Sequence, residues 1–339
     1  MKKEIIANFI EQAQFIYGDA FIPLHRPIFE GNERQYLTDC IDSNFVSSVG
    51  AKVTEFEKKV SEFTGSKYAI ATVNGTAALH VAIELAGVKP GDEVISQALT
   101  FVATCNAISY AGAKPLFIDV ELDTMGLSPL ALKTFLESNA KKTADGTFNK
   151  FSGNKISACI PMHTFGFPCR INEIAEICID WGITLIEDAA ESLGSYVGER
   201  HTGTFGSLGT LSFNGNKVIT TGGGGMIITD DSDLAYQAKH ITTTSKIPHP
   251  YEFVHDEIGY NYRMPNINAA LGVAQLEQLN ERLISKQRLF DNYSKAFHGL
   301  MGAQLFRIPT GSQSNNWLVT VLLDQAYAKN RDTLLNVLN

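Results

Sequence analysis

No stretch of this chain approaches the roughly 18 uninterrupted apolar residues that a membrane-spanning helix requires, so a soluble protein is expected. Charge is sparse: 19% of the residues are charged and the formal balance is −8. Nucleic-acid backbones are bound by clustered Lys and Arg, so that class of partner is set aside. There are only five cysteines, Cys40, Cys105, Cys159, Cys169 and Cys178, with no CxxC pair among them. That odd set fits neither a disulfide framework nor a zinc site, and reduced thiols in a cytoplasm are the simplest account. No strand runs into G-x-G-x-x-G, which weighs against a Rossmann oxidoreductase. Internal repeats and low-complexity tracts are missing too. At the start, Glu4, Asn8, Glu11 and Gln12 interrupt the apolar residues, so Met1–Gly18 lacks the core of a signal peptide and reads as an amphipathic helix.

What is present is ordinary globular material, 339 residues of which 44% are hydrophobic. That length suggests two domains, or a large domain with a smaller appendage. Between Lys67 and Asp230 short β-branched apolar runs alternate with helical patterns, the mark of βαβ units and a mostly parallel sheet in an α/β protein. Strands are expected at Tyr68–Val73, Glu93–Ser96, Pro115–Asp119, Ile156–Met162, Thr184–Glu187, Gly209–Phe213 and Gly225–Thr229. The patterns between them place helices at Ala77–Ala86, Phe101–Ala111, Pro129–Ser138 and Ile171–Trp181, and a polar surface loop at Asn139–Gly153. Near-continuous apolar strands imply cover on both faces of the sheet. Ligands of such sheets sit beyond the carboxyl ends of the strands, where Asn74, Phe101, His163, Asp188 and Ser212 accumulate. One long helical pattern, Asn266–Phe297, divides a large domain (1–265) from a smaller one (266–339), which continues with a strand at Trp317–Asp324 and a helix at Tyr327–Leu338.

Three segments carry chemistry. In Leu211-Ser-Phe-Asn-Gly-Asn-Lys217, a lysine stands between a strand and the four glycines of Gly222–Gly225, a backbone that a cofactor could lie against. A lysine that forms an imine must lose its proton, which needs a partly desolvated site; alone, a lysine beside glycines is more often a surface turn. In Leu185-Ile-Glu-Asp-Ala-Ala-Glu191, an apolar strand ends in acids. A carboxylate there, with Asp188 the candidate, can keep a pyridine nitrogen protonated, and a helix N-cap is the plainer explanation. In Val73-Asn-Gly-Thr-Ala-Ala-Leu-His80, a strand runs through Gly75 and Thr76 into a helix, whose free N–H groups and dipole suit a phosphate, although any capped helix start looks the same. Phe101 could stack on an aromatic ring or simply be core. His163, in Pro161-Met-His-Thr-Phe-Gly166, could line the pocket, orient a neighbour, or be a satisfied structural histidine.

Taken together and in this order, these segments resemble the sugar aminotransferases of the DegT/DnrJ/EryC1/StrS family. The resemblance runs from about Ile22 to Leu323 and is closest to the branch that aminates UDP-linked 4-keto-6-deoxy-N-acetylhexosamines. Phe21-Ile-Pro-Leu-His-Arg-Pro27 and Asp42-Ser-Asn-Phe-Val-Ser-Ser-Val-Gly50 look like that branch as well. It implies a pyridoxal-phosphate enzyme of fold type I, with a seven-stranded sheet in the large domain and a small α/β C-terminal domain. It further implies that Lys217 is the imine lysine, Asp188 the partner of the pyridine nitrogen and Glu191 a neighbour of the ring hydroxyl. Gly75, Thr76 and Ser212 would bind the phosphate and Phe101 would stack on the ring. Asn261, in Gly259-Tyr-Asn-Tyr-Arg-Met264, would reach the phosphate of a neighbouring subunit, which makes a homodimer part of the site.

The chain departs from the family where Glu191 stands for the usual Gln and Gly223 for an acid. Relatives usually continue well past Asn339, so the small domain is expected to be incomplete. The implied reaction is transfer of an amino group from an amino acid, glutamate by expectation, to a nucleotide-linked keto-sugar in polysaccharide or glycan biosynthesis. A non-catalytic homologue of the same fold is one alternative. A sugar dehydratase, in which histidine replaces the imine lysine, is another, and Lys217 speaks against it.

Overall fold

The computed structural model describes residues 2–18, 20–299 and 302–338. Its central sheet has seven strands: β1 (Tyr68–Thr72), β2 (Glu93–Gln97), β3 (Lys114–Ile118), β4 (Ile156–Cys159), β5 (Thr184–Asp188), β6 (Leu208–Ser212) and β7 (Gly225–Thr229). They lie in the order β1-β7-β6-β5-β4-β2-β3. The pairs β6-β5, β5-β4, β4-β2 and β2-β3 are parallel, and β7 runs against both of its neighbours. The expected mostly parallel, seven-stranded α/β sheet is therefore present. β4 stops at Cys159, short of the expected Met162; past it, Met162 makes a single parallel bridge to Asp188.

The first helices are α1 (Lys2–Tyr17), α2 (Glu33–Asp42), α3 (Ala51–Thr64), α4 (Gly75–Leu85), α5 (Val102–Tyr110), α6 (Pro129–Asn139) and α7 (Ile171–Trp181). They are followed by α8 (Ser232–Thr242), α9 (Asn266–Glu277), α10 (Leu279–Ala296) and α11 (Arg331–Leu338). Local chemistry sets several ends. Ser128 accepts the Ala131 N–H ahead of Pro129, and Asp231 accepts from Asp233 and Leu234. Both are N-caps that satisfy otherwise orphaned donors.

Successive strand residues face opposite layers, as a pleat requires. Ile70, Val94, Ile186 and Ile227 point to one face, where α4, α5 and α8 cover them. Their chain neighbours Ala71, Ile95, Leu185 and Ile228 point to the other, beneath α3 and α9 at one end and α6 and α7 at the other. Every residue of β2, β4 and β7 is buried, which is why these strands read as continuous apolar runs.

Several expected elements differ. Asn139–Gly153 is no plain loop: Ala140–Thr143 pairs antiparallel with Gly146–Asn149 as a hairpin, with Lys141, Lys142 and Thr143 exposed and Thr147 and Asn149 buried. The helical pattern from Asn266 breaks at Gln278, whose side chain donates to the buried Glu33. Of Trp317–Asp324 only Val321–Leu323 is a strand, paired with Ala303–Leu305. The chain at Trp317 is diverted by bonds from its backbone N–H to Asn315 Oδ1 and from its indole to the Asn216 carbonyl. Residues 325–330 form a 3-10 turn before α11, where a single helix from Tyr327 is expected. α1 occupies the expected N-terminal stretch, with Met1 outside the described residues. Helices α2, α3 and α8 add to those expected.

Phe56 of α3 is fully buried, and its ring meets that of Phe213 edge-on at 4.9 Å. Truncating it removes apolar contact and leaves a void beside the end of β6. Phe56→Ala is expected to lower stability by about 3–5 kcal/mol, read as a fall in the urea midpoint. An unchanged midpoint would show that this junction does not hold the layers together.

Candidate active site

The carboxyl ends of β1, β2, β5 and β6 and the amino end of β7 converge. After β1, Asn74 caps α4 by accepting the Ala77 N–H at 2.8 Å, which leaves Gly75 and Thr76 in the first helical turn. Gly75 lies against Ser212: a Cβ built on it would stand 3.0 Å from the serine Cβ. Gly225 opens β7 against the backbone of the same turn, and its Cβ would meet the Asn74 carbonyl oxygen at 2.3 Å. Backbone crowding thus accounts for the last glycine of the run.

β5 ends in two adjacent carboxylates with opposite fates. Glu187 turns to one face, where it accepts from the Gly203 and Gly206 N–H groups at 2.8 and 2.7 Å, from Phe205 N–H, and from His163 Nε2 at 2.9 Å. Asp188 turns to the other and accepts from Thr104 Oγ1 at 2.6 Å and from the Ala190 N–H at 3.2 Å. Burial pushes the Asp188 carboxyl above its ordinary range, and the Thr104 hydrogen bond and the charge of Lys217 oppose that rise.

Lys217 follows β6 with a 13% exposed side chain. Its Nζ is 3.5 Å from Glu191 Oε1 and 4.1 Å from the centre of the Trp317 ring. Burial lowers its pKa from the ordinary 10.5, against the pull of Glu191 and Asp188. Glu191 moves the other way, raised by burial and opposed chiefly by Lys217. Burial thus disfavours the charged form of each partner, and each one's charge opposes that shift in the other. Glu191 Oε2 also accepts the N–H of Phe165, a residue in the left-handed region at φ 58°. Such a backbone is unfavourable for phenylalanine, and the carboxylate helps to hold it.

The structure therefore gathers Lys217, Asp188, Glu191, Ser212, Gly75 and Thr76 at one end of the sheet. Phe101, at the N-cap of α5, is 62% exposed, which excludes the core explanation and leaves its ring free to be covered. Two further expected residues have partners of their own. His163 is fully buried: Nε2 meets Glu187 and Nδ1 accepts the Cys169 N–H at 3.3 Å. That assigns its ring proton to Nε2, and the residue orients Glu187. Asn261 is exposed, next to Tyr262 and Arg263, which bond to the end of β1, and its Oδ1 accepts from Arg263 at 3.0 Å. Thr104 and Trp317 were not anticipated. A hydroxyl one helical turn from Phe101 and one of only two tryptophans offered no local signal of their partners.

These residues fit pyridoxal phosphate: an amine with a depressed pKa, a desolvated carboxylate, a helix N-terminus with crowded glycines, and an uncovered aromatic face. The profile of the DegT/DnrJ/EryC1/StrS aminotransferase family matches residues 27–339. EpsN of Bacillus subtilis (strain 168) is 41% identical over 303 residues, covering 89% of this chain and 75% of EpsN. The GDP-perosamine synthase of Escherichia coli O157:H7 is 36% identical over 316 residues, 93% of this chain and 81% of that enzyme. Among solved structures, Helicobacter pylori PseC, an aminotransferase involved in the biosynthesis of pseudoaminic acid, superposes with a TM-score of 0.84 at 21% identity. It covers 94% of this chain and 82% of PseC, a likeness of fold.

A depressed lysine is measurable without turnover. In cofactor-free protein, the pH profile of Lys217 acetylation, followed by peptide mass mapping, is expected to inflect below the ordinary 10.5. An inflection at or above that value would show that burial does not perturb this amine.

Proposed function

Because the chain belongs to the DegT/DnrJ/EryC1/StrS aminotransferase family, we propose that it moves the amino group of an amino acid, glutamate in this reading, to C4 of a nucleotide-linked 4-keto-6-deoxy sugar. The observation that carries the proposal is the largely enclosed Lys217 beside Glu191, on the side of the sheet end where Asp188 points. The cofactor, pyridoxal phosphate, supplies an electron sink for the carbon that loses its proton.

Lys217 would hold the cofactor covalently through Nζ. A tethered amine of lowered pKa at this position would be suited to carry a proton between the two reacting carbons. Asp188, oriented by Thr104, would keep the ring nitrogen protonated. Glu191 neighbours the ring hydroxyl and restrains Lys217. Gly75, Thr76 and Ser212 hold the phosphate at the N-terminus of α4, where backbone donors and the helix dipole favour an anion. Phe101 would cover one face of the ring and exclude water from it. Asn261, exposed here, reaches the phosphate of a second copy, so the working unit is a homodimer. The division into a large domain to residue 265 and a smaller one beyond it belongs to the same reading.

A nucleotide-linked sugar is supported by the similarity to GDP-perosamine synthase, and UDP by the opening motifs of the chain. Polysaccharide or glycan biosynthesis in the cytoplasm is the setting that fits such a substrate. Among the described residues no helix is long and apolar enough to cross a membrane.

The holoprotein's visible absorbance is expected to move to shorter wavelength when glutamate is added. Lys217→Ala is expected to show no such shift and to lose turnover by about 10⁴-fold or more. Near-normal turnover in that variant would remove Lys217 from its assigned role, and an unresponsive wild-type spectrum would sink the reading as a whole.

A further inference from the structure

Beside Lys217 opens a cleft of about 430 Å³ between residues 20–28 and α10. Arg26, Arg282 and Lys286 line it together with Lys217, and no Asp or Glu among the described residues does. This is notable in a chain with 36 acidic and 28 basic residues. Nor does Arg26, Arg282 or Lys286 have a carboxylate within 4.0 Å among the described residues. Arg282 and Lys286 are instead braced by neutral acceptors: Arg282 Nη2 by the Ile28 carbonyl at 2.8 Å, and Lys286 Nζ by the Trp317 carbonyl at 3.1 Å. Arg282 Nε and His25 Nδ1 are buried and have no hydrogen-bond partner.

Buried polar atoms are nearly always satisfied, so two orphans in one cationic cleft call for a partner from outside. A positive cleft with low-dielectric walls concentrates anions. Burial, and then Lys286, Lys217 and Arg282, push His25 down to about 4, so its ring is neutral at neutral pH and offers hydrogen bonds without charge. Burial brings Lys286 to about 8, still largely charged at neutral pH.

We propose that this cleft receives the diphosphate of the nucleotide-linked substrate, with Lys286, Arg282 and Arg26 as its cations and His25 as a neutral hydrogen-bonding wall. The assignment rests on the aminotransferase reading above. Three cations besides Lys217 match a group of about two negative charges better than a single carboxylate, for which one forked guanidinium suffices. The sugar between the diphosphate and its reacting carbon would then extend toward Lys217.

The test is calorimetric titration of the full-length, cofactor-loaded protein with UDP and with GDP. The tighter of the two is expected to weaken by about tenfold or more in Lys286→Gln and in Arg26→Gln, the scale of one lost charged contact. Raising the salt concentration is expected to weaken it further. Arg26 is exposed and makes no hydrogen bond or ion pair among the described residues, so its variant folds even where Lys286→Gln does not. Unchanged affinity in the Arg26 variant and in any folded Lys286 variant, or no binding of either nucleotide to the wild type, overturns the assignment. So does a larger loss for glutamate than for the nucleotide, which would give the cations to the amino donor. A wild type that binds the nucleotide as expected yet ignores glutamate would reject the proposed reaction and leave the subsite standing.

Discussion

Lys217 rests between a carboxylate and the face of an indole with little water around it, and the surrounding structure converges on keeping it there. Glu191 holds the lysine with one oxygen and the strained Phe165 backbone with the other. Trp317 is fixed from behind by Asn216 and Asn315, and Asn315 in turn donates to the Glu191 and Leu193 carbonyls. The loop after β5, the loop after β6 and the segment from 314 to 317 are therefore tied around a single ammonium group. An amine held this way is destabilised in its charged form, and reactivity follows from that penalty.

The layers on either side of the sheet make this arrangement possible. A strand whose residues face two packed layers has no freedom to rotate, so the ends of β5 and β6 present their polar residues at fixed depth. Burial of β2, β4 and β7 on both faces is what converts a polypeptide into a rigid frame for a site built largely from loops and helix starts.

Much of this frame is legible in the chain itself. The seven apolar runs and the helices between them follow from periodicity, and Lys217 and Asp188 stand where a strand ends in polar residues. α3 also carried a readable pattern, with Val53, Phe56 and Val60 spaced along one helical face. Other features depend on partners distant in sequence. Thr104 meets Asp188 across 84 residues and Trp317 reaches the Asn216 carbonyl across 101, and no local pattern specifies either contact. The break at Gln278 depends on Glu33, 245 residues earlier. His163 sits at a strand end like its functional neighbours, and its direction is decided by Glu187 and Cys169. The cationic cleft has no local signature either, because Arg26 and Lys286 lie on separate segments.

Glu187 and Asp188 are neighbours in the chain, yet one is locked by three backbone donors and a histidine while the other faces the lysine. Adding or deleting one residue between Thr184 and Asp188 would exchange them, placing a saturated structural carboxylate where chemistry is done and an unsupported one in the frame. The length of β5 is therefore fixed by the two faces it serves. In that sense it acts as the ruler from which the rest of the site is measured.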